Sequence, residues 1–178
     1  MAIAFAASPV VAAPDAKTVA AIDRGLEFLA KAQKENGCWS TAEFPGMTAL
    51  ALQAFLLAPE AASDHPEAVK KGLEFIRASA KPDGGIYDKG MANYNTSIAL
   101  STLLHADDDA DLARIEAARK FLIGGQKHDP EKKTNDGGFG YEPEGRRSRP
   151  DLDNTVFAVE SLALYRDKHE GEEAVGKE

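Results

Sequence analysis

A threefold repeat constrains this chain more than any other feature. Arg24-Gly25-Leu26-Glu27-Phe28-Leu29 is echoed by Lys71-Gly72-Leu73-Glu74-Phe75-Ile76 and by Ala117-Ala118-Arg119-Lys120-Phe121-Leu122. The anchors Phe28, Phe75 and Phe121 lie 47 and 46 residues apart. A glycine-plus-aromatic loop follows each: Gly37-Cys38-Trp39, Gly85-Ile86-Tyr87 and Gly138-Phe139-Gly140-Tyr141. A threonine then opens an apolar run: Thr48, Thr96 and Thr155. A period of this size marks one supersecondary unit that cannot bury its apolar face alone, so neighbours must stack. The third loop is longer, mostly through polar residues between Lys127 and Asp136.

Each repeat reads as two helices. Val19, Ile22, Leu26 and Leu29 make one apolar stripe, with Asp15 placed as N-cap. The second helix, about Met47 to Leu57, is apolar nearly all round and so should be buried. The second repeat starts at Asp64-His65-Pro66, with Asp64 as cap and proline in the first turn. Its first helix ends at Lys81-Pro82-Asp83-Gly84-Gly85, and its second spans about Asn95 to Leu104. The third repeat begins in the acidic run Asp107 to Asp111, which suits a helix N-terminus. The last helix runs from about Asp153 to Tyr165. No segment alternates at period two long enough for a strand. The chain therefore reads as all-α: three helical hairpins, each with an outer amphipathic helix and an inner apolar one. They fill residues 15–168 as units 15–60, 64–106 and 107–168, and 169–178 reads as a polar connection or tail.

Residues 1–14 stand apart. Ala2 to Ala13 are uncharged and mostly small or apolar, which suits a truncated signal peptide or an Ala-rich disordered arm. The first reading places the protein outside the cytoplasm, periplasmic or secreted; the second leaves it cytoplasmic. The 178 residues carry 21 Lys and Arg against 29 Asp and Glu, a net charge of −8. That balance excludes a nucleic-acid partner, which needs clustered cations. No apolar run approaches the roughly 20 residues of a membrane span. A lone Cys38 excludes an intrachain disulfide and a multi-cysteine metal cluster, and His65, His105, His128 and His169 lack ligand spacing. Asn135 to Gly140 lacks the Lys and Ser/Thr of a phosphate loop, and Asp129 to Gly137 fails calcium spacing. No metal or cofactor is expected. Arg146-Arg147-Ser148-Arg149, beside Glu142, Glu144 and Asp151, reads as a solvated loop.

Gly25, Phe28, Leu29, Gln33, Gly37 and Trp39 resemble the QW repeat, also called the prenyltransferase and squalene oxidase repeat, of terpenoid cyclases and protein prenyltransferase β subunits. The second repeat has Ala80 in place of Gln and Tyr87 in place of Trp. The third keeps Phe121, Leu122 and Gln126 and ends in Phe139 and Tyr141. The resemblance covers residues 17–166 and implies an α/α toroid. It also implies structural roles for Gly25, Phe28, Gln33, Gly37, Trp39, Phe75, Gly85, Tyr87, Phe121, Gln126, Gly138 and Phe139. A glutamine near a helix end can satisfy orphan carbonyls and loop amides, and an aromatic ring can cover that cluster. Toroids of this kind hold about six hairpins, so three make a partial ring. Either a longer chain supplies the remaining repeats or a second subunit does.

Asp151-Leu152-Asp153-Asn154-Thr155 resembles the DxDDT motif of class II terpenoid cyclases such as squalene-hopene cyclase, with Asn154 at the third acidic position. The resemblance implies Asp153 as proton donor and Asp151 as its partner. It also implies an isoprenoid or lipid in a cavity lined by Thr48, Tyr94, Asn95, Thr96, Thr155 and Phe157. Protonating an alkene needs a strong acid among groups that stabilise its conjugate base. The same segment also suits a helix cap, and Asn93-Tyr94-Asn95-Thr96 recurs at the equivalent point. Only 7% of residues are aromatic, few for a carbocation site. A zinc prenyltransferase centre is disfavoured because Cys38 lacks an Asp-x-Cys context. Two function classes follow: a cyclase-type enzyme, or a non-catalytic extracytoplasmic module that binds ligand or protein.

Overall fold

A computed structural model describes residues 13–60, 63–131 and 135–169. The leader expectation for 1–14 falls almost wholly on 1–12, and the tail on 170–178, both outside the described residues. Six α-helices follow in order: α1 Ala16–Ala32, α2 Pro45–Leu56, α3 Pro66–Ala78, α4 Ala92–Ala106, α5 Leu112–Gly125 and α6 Leu152–His169. A 3-10 turn, Asp109–Asp111, leads into α5. Among the described residues there is no strand, only an isolated bridge between Ala80 and Ile86. The fold is all-α.

Local chemistry explains most helix starts. Asp15 Oδ1 accepts from Thr18 N at 2.7 Å and opens α1. Proline occupies the first turn of α2 and α3. At α3 the N-cap is His65, not Asp64, and no side chain caps it. Pro66 presets the first helical φ, so the residue just before it becomes the cap. Helix α4 begins at Ala92, ahead of the expected Asn95. The Glu142 carboxylate, from the third loop, accepts from Met91 N and Ala92 N and supplies the cap from 51 and 50 residues away. Asp108 accepts from Ala110 N at the turn before α5.

The inner helices α2, α4 and α6 stand side by side, with α4 in the middle. The outer helix of each later hairpin lies over the inner helix of the hairpin before it: α3 covers α2, and α5 covers α4. Leu52, Ile76, Leu100, Leu103, Leu122 and Phe139 fill the core between these layers. A polar seam joins α2 to α4. Gly46 N donates to Asn95 Oδ1 at 2.8 Å, Gln53 Nε2 donates to Thr102 Oγ1 at 3.1 Å, and Thr102 Oγ1 reaches Ala49 O at 3.2 Å. Beneath α3, the Arg77 guanidinium grips the fully buried Asp111 carboxylate at 2.6 to 3.0 Å, and Arg114 adds a contact at 2.9 Å. This pairs a carboxylate that would otherwise be buried alone.

Candidate functional site

Most of the residues singled out by motif gather where the loops meet the inner-helix starts; Gly25 and Phe28, within α1, do not. One latch recurs three times. A loop amide donates to the threonine of the following inner helix: Trp39 N to Thr48 (3.3 Å), Ile86 N to Thr96 (2.9 Å), Phe139 N to Thr155 (3.0 Å). The loop closes on itself in the same way each time: Lys34 N to Cys38 O, Lys81 N to Gly85 O, Lys127 N to Gly138 O. Before that carbonyl stands a glycine with positive φ: Gly37 (86°), Gly84 (93°) and Gly137 (81°).

This geometry corrects the loop register. Gly84 and Gly137, not Gly85 and Gly138, are the counterparts of Gly37. Trp39 is matched by Ile86 and Phe139, and Tyr87 falls one residue later. The left-handed turn needs glycine at one fixed place, whereas an aromatic side chain can reach the same layer from either of two positions. The Tyr87 ring packs against Phe121 at 5.9 Å. Its hydroxyl donates to Asp83, and that bond to a carboxylate pushes its pKa up to about 12.

The glutamines tie loops together. Gln33 Nε2 donates to Gly37 O (3.0 Å) and to Ala68 O of α3 (2.9 Å). Gln126 Nε2 donates to Gly137 O (2.8 Å). Ala80, in the second repeat, offers no such donor. Trp39 Nε1 donates to Leu29 O at 2.7 Å, and its ring meets Phe55 at 5.7 Å. Phe75 and Phe121 are half-buried, whereas Phe28 is largely exposed and Gly25 has open space around it.

The Asp151–Thr155 segment starts α6. Asp151 Oδ1 accepts from Asn154 N at 2.9 Å, and both Asp151 oxygens accept from Asn154 Nδ2 at 2.9 and 2.7 Å. Thr155 Oγ1 donates to Asp151 O at 2.6 Å. Asn154 is buried, and its Oδ1 has no partner among the described residues. Asp153 is exposed and carries no hydrogen bond or ion pair among the described residues. Its charge acts on Tyr94, whose hydroxyl pKa is raised first by burial, then by Tyr141 and by Asp153.

The residues expected on a cavity wall are arranged differently. Thr48, Asn95 and Thr96 are fully buried, with their polar atoms bound to backbone; Asn95 also donates from Nδ2 to Gly90 O at 2.9 Å. Tyr94 and Phe157 are half-buried and pack edge to face at 5.5 Å, with Tyr141 at 6.1 Å. Thr155 lines an open groove of about 440 Å³ together with Gly137, Gly138, Pro150, Asp151 and Leu152. Motif reading passed over Glu142, the distant cap of α4, because a contact spanning 51 residues leaves no local signal. Among the described residues no group of three or more His, Cys, Asp or Glu is placed to hold a metal ion, and no helix is long and apolar enough to cross a membrane.

Comparison with protein-family models finds no match, and comparisons with curated proteins and with solved structures find none either. The class that fold and site define is an all-α protein of three stacked helical hairpins, latched by threonine and left-handed glycine at each loop.

Proposed function

We propose that this chain is a hairpin-repeat module of the prenyltransferase and squalene oxidase type whose role is binding and assembly, not proton donation. One observation carries the reading. The Asp151–Thr155 segment divides its groups so that Asp151 caps α6 while Asp153 is exposed and, among the described residues, has no hydrogen-bond or ion-pair partner. A donor to an alkene has to be shielded and surrounded by groups that stabilise its conjugate base. Asp153 has neither condition. Asp151 accepts through both oxygens, which is the chemistry of a helix start. Asn95 and the latch threonines Thr48 and Thr96 spend their polar atoms on backbone, which supports a scaffold reading of the predicted cavity positions.

The test pairs turnover with stability. The purified chain and its Asp153→Asn variant are incubated with squalene and, separately, with geranylgeranyl diphosphate, and products are analysed by mass spectrometry. Neither protein should form a cyclised product. In urea denaturation, Asp153→Asn should stay within about 0.5 kcal/mol of the parent. Asp151→Ala should lose about 1 kcal/mol through the lost cap. Cyclised product that disappears in Asp153→Asn overturns the reading and restores the acid role.

A further inference from the structure

Inside the molecule, each hairpin is covered by the next in three ways. The first is at the loop glycine. A Cβ built on Gly37 would lie 2.3 Å from Lys71 O of α3, and one on Gly84 would lie 2.6 Å from Ala117 O of α5. The same atom on Gly137 meets only Gln126 Nε2, at 3.9 Å. The second is the glutamine. Gln33 Nε2 reaches forward to Ala68 O of the next outer helix, whereas among the described residues Gln126 Nε2 bonds only within its own loop. The third is the inner-helix face. With the latch threonines aligned, Pro45, Ala49 and Leu52 on α2 match Asn93, Ser97 and Leu100 on α4, and all six are buried. Their α6 counterparts Leu152, Val156 and Val159 are 82%, 48% and 53% exposed. The open groove beside Gly137 and Leu152 lies along the same edge.

The opposite end of the row is uncovered in the complementary sense. Phe75 packs near Gly37 and Phe121 against Tyr87, each on the loop of the hairpin before it. Their counterpart Phe28 is 70% exposed. Asn95 reaches back from α4 to Gly46, and its α2 counterpart Met47 is 43% exposed. Helix α1 buries only Leu26. Arg24, the counterpart of Lys71 and Ala117, is exposed, and the groove it would face is lined by Asp136 and Asp151.

We propose that the two edges cover each other: a second copy of this chain docks its α1–α2 edge on the α6 edge of the first, continuing the row in which α2 packs on α4 and α4 on α6. This rests on the assembly reading above and names its partner. The occupant follows from the repeat itself. Among the described residues the α6 edge has no outer helix over it with a phenylalanine at the Phe75 position and no inner helix beside it with an open backward face, and the other edge of the same chain presents both. Gln126 Nε2 then meets the α1 carbonyl at Ala21, the counterpart of Ala68. Such a contact is head to tail, closing into a ring or running on as an open assembly.

The seam predicts a specific pair. Thr102 Oγ1 reaches Ala49 O between α4 and α2. Across the new contact the counterparts are Ala54 and Val156. The experiment measures the mass of the purified 178-residue chain by light scattering and native mass spectrometry at tens of micromolar. It then mixes Val156→Cys chains with Ala54→Cys chains under mild oxidation. The parent should run as an oligomer, and the mixed disulfide should form only when both variants are present. Leu152→Asp/Val156→Asp should shift the mass to monomer with its helical circular dichroism kept, since an acidic side chain at an exposed helix start is favourable. Leu112→Asp, an exposed change at the start of α5 that touches none of the residues placed in the proposed contact, should leave the oligomer intact. A monomeric parent overturns the proposal, as does an oligomer that survives Leu152→Asp/Val156→Asp. So does a parent whose α6 edge is taken by a different polypeptide. None of these results bears on Asp153, whose turnover test stands separately.

Discussion

Gly25 and Gly72 occupy the same motif position, yet only one of them is required by its surroundings. A Cβ on Gly72 would fall 2.7 Å from Leu52 and 2.9 Å from the Trp39 ring, and one on Gly25 would meet nothing. The third repeat carries Ala118 at this place, above a loop with Ile86 where the first has Trp39. A smaller loop side chain leaves room for the methyl group. Gly72→Ala should therefore cost about 1–3 kcal/mol by overpacking. Gly25→Ala, in the monomeric Leu152→Asp/Val156→Asp background, should stabilise by up to about 1 kcal/mol through helix propensity. Urea midpoints of the two variants check this, and equal effects would show that the Trp39 contact does not set the glycine. The repeated threonine and glutamine were legible in the sequence because each recurs at a fixed distance from a helix end. The loop register is less legible, because Tyr87 is conspicuous in the sequence whereas the positive φ of Gly84 is not written in any side chain.

Helices α5 and α6 meet through a charged cluster that no motif announced. Glu116 accepts from Arg119 and from the Tyr165 hydroxyl at 2.9 to 3.1 Å, and Lys120 lies at 3.4 Å. The Arg119 guanidinium sits 5.0 Å over the Tyr165 ring, which stacks on His169 at 4.1 Å. The Arg119 hydrogen bond, ahead of the Tyr165 and Lys120 contributions, pulls the Glu116 carboxyl pKa from 4.5 down to about 2. A carboxyl depressed in the folded state adds stability above its ordinary pKa and loses it as pH falls towards the folded value. The thermal midpoint should thus drop between about pH 4.5 and about pH 2. Glu116→Gln should lower the midpoint at pH 7, and its deficit against the parent should shrink across that window. A constant deficit would remove Glu116 from the linkage. Helix starts followed the same rule of locality. Asp15 and Asp151 cap within three residues and could be read directly. The starts of α3 and α4 could not, because Pro66 moves one cap and Glu142 supplies the other from a distant loop.

At the scale of the whole chain, periodicity showed which face of each helix is apolar but not which neighbour that face meets. The arrangement in which each later outer helix lies over the preceding inner one appears only in three dimensions. It has a dynamic consequence. Helix α4 is packed on both flanks and covered by α5, and it buries residues along its whole length. Helix α1 buries Leu26 alone. Local opening follows such differences in buried contact. In the monomeric Leu152→Asp/Val156→Asp variant, amide hydrogen exchange should be fastest in α1 and slowest in α4. In the assembled parent, α1 should gain protection while α4 changes little, because the second copy covers α1 and leaves the centre of the row as it was. Equal protection of α1 in both proteins would mean that this helix is held by something other than a neighbouring chain, and the two uncovered edges would need separate explanations. Protection gained by α1 and α6 together, and lost together on dilution, is the signature of one seam shared between copies.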